Sequence, residues 1–139
     1  MSIPYKWKEI GLFIEAWIYI ALARMSILVL SFEYLMKLIG KPISSQNWEE
    51  SNKLLTTYIP INQAIERASR YAFWRTKCFE QALTAKWMLE RRGQTTYLYF
   101  GVRKEQSGSL TAHAWLVCDG EIVTGGNVAS EFQVISCFY

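Results

Sequence analysis

Thr76 to Gly93 reads T-K-C-F-E-Q-A-L-T-A-K-W-M-L-E-R-R-G, and the rest of this 139-residue chain is placed by it. Ala82, Leu83, Ala85, Met88 and Leu89 recur at helical spacing. Gly93, after Arg91-Arg92, is a stop signal. Thr76 is the expected N-cap, which puts Cys78 at the second helical position. A helix start offers unpaired N–H groups and a partial positive charge. Both stabilise a thiolate, and the N–H groups can receive a developing oxyanion. The plainer reading is a core helix in which Cys78 only packs.

Downstream, Thr95–Val102 is β-rich and aromatic, and Ser107-Gly108-Ser109 marks a turn. Ala112–Val117 and Ile122–Val128 flank Asp119-Gly120, a two-residue hairpin signal. His113 is the single histidine of the chain and falls on the first hairpin strand, on one face with Trp115 and Val117. A lone histidine is more often structural than catalytic. A helix-start cysteine upstream makes a thiolate–imidazole pair an equal alternative.

Upstream, Glu9–Ile39 is nearly all helix formers and apolar residues, ended by Gly40-Lys41-Pro42. Ile10–Phe32 is long enough to cross a membrane but carries Glu15 and Arg24. At 100° per residue Lys8, Glu15, Tyr19, Ser26, Glu33 and Lys37 share one sector. The expectation is one long or two shorter helices, with a wide apolar face on protein and a thin wet face. Contact with a membrane is the alternative. Residues 43–50 read as a loop and helix start that Ser44 or Ser45 could cap. Ile61–Phe73 reads as a helix with Ile61, Ala64, Ile65, Ala68 and Ala72 on one face.

The net charge of +3 is small and its lysines and arginines are scattered, which excludes a nucleic-acid footprint. No secretory signal pattern opens the chain. Three cysteines and one histidine make no familiar zinc site, and no cofactor is implied. Cys118 and Cys137 read as small buried hydrophobes in a reducing cytoplasm. The expected layout is a single domain over 1–139, with a helical region over 8–73 and a catalytic core over 74–139.

C-F-E-Q-A-L-T-A-K-W-M-L-E-R-R-G, then L-Y-F-G-V-R, then A-H-A-W-L-V-C-D-G, resembles the leader peptidase of lasso-peptide biosynthesis, a transglutaminase-like cysteine peptidase. The likeness covers about residues 74–128. It implies an α+β fold: a transglutaminase- or papain-like core, with the cysteine-bearing helix against a small antiparallel sheet, after helices. It implies removal of the leader from a lasso-peptide precursor, with Cys78 as nucleophile and His113 as general base. The implied partners are the leader peptide, an ATP-dependent lasso cyclase and a leader-recognition protein. That last is expected as a separate chain, because little sequence precedes Lys8. Apart from the resemblance, the cysteines point to the cytoplasm and the apolar N-terminal run to membrane-surface contact through the N-terminal helices as an addition. An acyltransferase, or a non-catalytic protein that presents the precursor, is the alternative on the same fold.

The family pattern expects an acid on the strand after the histidine. Asp119 is the nearest, yet six residues of extended strand put it about 20 Å from His113. A two-residue turn pairs Cys118 with Glu121 and so sets His113 opposite Gly126. Asn127 is the first choice to orient the ring, brought to the histidine's face by a bulge at Gly125-Gly126. A backbone carbonyl is the second choice, and loss of the acid role is the third.

Overall fold

The computed structural model describes residues 5–44, 55–72, 77–126 and 129–139. Four helices, α1 (Tyr5–Val29), α2 (Phe32–Ile39), α3 (Ile59–Tyr71) and α4 (Cys78–Arg91), precede a four-stranded sheet. The strands are β1 (Tyr97–Lys104), β2 (Leu110–Cys118), β3 (Glu121–Thr124) and β4 (Gln133–Phe138). Their order is β3-β2-β1-β4 and every pairing is antiparallel. This is the α+β arrangement expected from the sequence. The strand β4 was not expected. It pairs with β1, and the chain at Lys41–Ile43 bonds back to Cys137 and Tyr139.

The long N-terminal run divides because Ser31 interrupts it. The Ser31 hydroxyl accepts from the Tyr34 amide at 3.3 Å, which caps α2. α3 begins with Pro60 in its first turn and buries Ile61, Ala64, Ile65 and Ala68, the face read from the periodicity. The main core forms where these residues meet Ala82, Ala85, Met88 and Leu89 of α4 and one sheet face, Leu98, Ala114, Leu116 and Val123. The other sheet face buries Tyr99, Trp115, Val117 and Cys137 under Ala129 and Phe132. Cys118 and Cys137 are both buried, and neither forms a disulfide.

α1 departs from expectation. It packs on α3 and α4 through a narrow line that includes Ala16, Ile20 and Ala23, all fully buried. The polar sector is not a wet face opposite the core; it runs along the border of the buried face. Glu15 meets Arg92 at 2.6 Å and Arg91 at 3.1 Å, and Tyr19 lies against Trp87. The Arg92 hydrogen bond holds the Glu15 carboxyl below the usual carboxylate range, against a smaller opposing effect of burial. Arg24 reaches Glu80 of α4 at 3.4 Å. The outward side is apolar, with Trp7, Ile10, Ile14, Ile18, Leu22, Met25 and Leu28 exposed.

Candidate active site

Cys78 is the first residue of α4, one position earlier in the helix than the sequence placed it, because Lys77 is the N-cap. Thr76, the expected cap, lies outside the described residues. The helix start is fastened by Glu80. Its carboxylate accepts from the Lys77 amide at 3.0 Å and pairs with Arg24, and the residue is 4% exposed. With that amide taken, those of Cys78, Phe79 and Glu80 remain in the first turn, where a helix supplies no acceptor of its own. Glu three residues after the cap is the second half of a capping box, but Lys at the cap and Thr76 just before it concealed this in the sequence.

His113 sits on β2, opposite Gly101 of β1. Its ring lies between Phe132, with centroids 5.0 Å apart, and Trp115, at 5.7 Å. Gly101 makes room for both, since a Cβ there would meet Phe132 and Trp115 atoms at 2.9 Å. Trp115 is 3% exposed and stacks on Tyr99, which makes it a core anchor. Nothing in E-F-Q marks Phe132 as a neighbour of the histidine.

The hairpin turn is the expected one. Asp119 and Gly120 both have positive φ, 52° and 78°, as a type I′ turn requires. The register beyond it is not the expected one. Cys118 pairs with Glu121 and Val117 with Ile122, but Leu116 pairs with Thr124. The extra residue, Val123, bulges two positions nearer the turn than Gly125-Gly126. A side chain from α3 meets this bulge: Asn62 Nδ2 donates to the Val123 carbonyl at 2.8 Å. The one-residue slip overturns the pairing of His113 with Gly126.

The chain then leaves β3 through Gly125, whose φ is +75° and whose carbonyl oxygen lies 2.9 Å from His113 Nε2. A carbonyl only accepts, so Nε2 carries the proton and the neutral ring keeps its lone pair on Nδ1. Asp119 is engaged elsewhere: its carboxylate accepts from the Tyr58 hydroxyl at 2.5 Å. That bond, then one with Cys118, raises the Tyr58 phenol far above its ordinary value. Asn127 lies outside the described residues.

Cys78 and His113 line the same cleft, a cavity of about 480 Å³ shared with Asn62, Glu66, Ser69, Arg70, Gln81 and Gly125. Gln81 Nε2 donates to Ser69 Oγ at 3.1 Å and braces α4 on α3 across its floor. The arrangement sets a thiol at a helix start and an imidazole of fixed tautomer on one opening, with first-turn amides beside the sulfur.

The model of the transglutaminase-like superfamily matches residues 26–137. The chain belongs to that superfamily. The match runs from the end of α1 to the end of β4, so it covers both Cys78 and His113. Comparison with curated proteins and with solved structures gives no match. The transglutaminase-like fold commonly carries cysteine peptidase or acyltransferase chemistry.

Proposed function

We propose that this transglutaminase-like chain is a cysteine peptidase that removes the leader from a lasso-peptide precursor. The observation that carries the reading is the meeting of Cys78, at a helix start, with His113, its tautomer fixed by the Gly125 carbonyl, on one open cleft. The resemblance of the Cys78, Gly101 and A-H-A-W segments to lasso leader peptidases supplies the substrate.

In this reading His113 Nδ1 takes the Cys78 proton, and the thiolate attacks the scissile carbonyl. First-turn amides of α4 hold the oxyanion. The C–N bond breaks as the imidazolium returns its proton to the leaving amine. Water then attacks the thioester, gives a proton to His113, and releases the leader carboxylate and Cys78 thiol. An amine in place of water would make the same intermediate an acyl-transfer step. A leader-recognition protein presents the precursor, and an ATP-dependent cyclase consumes the freed core N-terminus. The protein works in the cytoplasm, with the apolar side of α1 against a membrane surface.

Cys78→Ala is the test. It should lower leader cleavage by about 10³-fold or more with the thermal transition little changed, measured by mass spectrometry with recognition protein present. A variant that cuts near the wild-type rate would sink the thioester route. Normal precursor processing around an unreactive Cys78 would favour the non-catalytic presenting role.

A further inference from the structure

Cys78 and His113 border a second cavity, unlike the first. About 340 Å³ in volume, it opens on the other side of the pair and is lined by Phe32, Phe79, Phe100, Ala112 and Ile135. Among the described residues, no charged side chain lines it. Its aromatic wall comes from three separate elements. Phe79 directly follows Cys78 and stacks on Phe100 of β1, with centroids 5.5 Å apart and planes at 29°. Phe32, from the start of α2, meets Phe100 edge-on at 5.7 Å and Phe79 at 6.1 Å. Small residues leave room in it: Ala112 and Ala114 flank His113 on β2.

Two large apolar residues stand wet at this site, Phe32 at 58% and Ile135 at 57% exposed. A charged side chain entering such a cavity would lose its water among apolar walls, since the charged groups nearby, Arg24, Lys77 and Glu80, line an adjoining cavity instead. An aromatic or aliphatic one would gain ring contacts and cover the exposed rim. The polar cleft on the other side offers Asn62, Glu66, Arg70 and Gln81 instead. A peptide bond held at Cys78 therefore has unlike surroundings on its two sides.

We propose that this cavity is an apolar subsite, which seats one aromatic or aliphatic side chain of the peptide substrate next to the bond that Cys78 attacks. The inference rests on the peptidase reading and deepens it. The exposed Ile135 and Ala112 would set specificity at its rim without touching the reacting atoms.

The test is the alkylation rate of Cys78 in the full-length protein, followed by peptide mass spectrometry. Two chloroacetamides serve as probes, one N-phenethyl and one N-carboxymethyl, each rate divided by that with glutathione. The phenethyl reagent should be faster at Cys78 by about 10-fold or more. Ile135→Lys, which puts a cation at the rim, should bring the ratio towards unity. Ala112→Leu, which fills the cavity, should do so through the phenethyl rate alone. Cys78 alkylation without preference would overturn the subsite and leave the peptidase reading standing. A preference that survives both substitutions would also overturn it. Cys78 no more reactive than Cys118 and Cys137 towards either reagent would instead remove the peptidase reading, and the subsite with it.

Discussion

Among the described residues, the hydrogen-bond partner of the His113 ring is a backbone carbonyl and not a carboxylate. The Gly125 carbonyl has lone pairs and a partial negative charge, so it fixes the tautomer of the ring. It stabilises the imidazolium less than a carboxylate would. Gly125 is suited to this by what it lacks. A Cβ would lie 2.9 Å from His113 Nε2 and 3.0 Å from the Ala114 carbonyl, at a φ that L side chains rarely adopt. Gly125→Ala should therefore cost about 1–2 kcal/mol of stability and displace the ring or the carbonyl. Leader cleavage should fall by about 10²-fold, read as kcat/KM, while Asp119→Asn costs little. Equal losses for the two variants would mean that the carbonyl contact does nothing for the reaction. The distance of Asp119 was legible in the sequence: it shares the strand face of His113, but strand rise alone puts it about 20 Å away. The role of Gly125 was not, because a carbonyl acceptor leaves no side-chain signature.

Among the elements, the β2–β3 hairpin and the start of α3 fix one another, and through them the histidine. Glu121, 4% exposed, accepts from the amides of Thr56 at 2.8 Å and Thr57 at 2.9 Å, just before α3. Burial pushes its carboxyl up, but the Thr56 amide, the Thr57 hydroxyl and the Tyr58 and Thr57 amides together outweigh burial and hold it below the usual range. A carboxylate depressed in the folded state contributes stability above its unfolded pKa, about 4.3, and loses that contribution as pH falls through the lower folded value. Glu121→Gln should then be less stable than wild type by about 1–2 kcal/mol at pH 7, with the gap closing near pH 3. Urea unfolding at the two pH values checks this, and a gap unchanged at pH 3 would refute it. The Asp119-Gly120 turn could be read locally, since two residues of positive φ suffice. The bulge at Val123 could not, because its carbonyl is met by Asn62, far off in the sequence. Strand β4 was missed for a related reason. Its apolar residues run V-I and C-F without clean alternation, and its partners lie on β1 and at Lys41–Ile43.

At the scale of the whole molecule the open question is what meets the outward side of α1. Trp7, Ile10, Ile14, Ile18, Leu22, Met25 and Leu28 form a nearly straight line over about 32 Å at 1.5 Å per residue. Trp7–Val29 is long and apolar enough to cross a membrane by length and composition, yet Ala16, Ile20 and Ala23 are sealed against the protein. Glu15 and Arg24 are turned to the borders of that sealed face and ion-paired there, so neither interrupts the line. The sequence periodicity located this polar sector but could not orient it. Its direction was decided by Arg91 and Arg92 at the far end of α4 and by Glu80 at the near end. A helix seam made for a second copy in water is usually flanked by charged positions that choose the partner. From Ile10 to Phe32 the exposed positions here carry none. That favours lipid, with the helix lying in the interface and its apolar side in the acyl boundary. The protein should then float with phosphatidylcholine–phosphatidylglycerol vesicles in a density gradient. The double substitution Ile14→Asp with Ile18→Asp should abolish flotation and leave the thermal transition within a few degrees, because both residues are about half exposed. A lipid-free protein that is a stable dimer, made monomeric by the same two substitutions and indifferent to vesicles, would assign this face to a second copy instead.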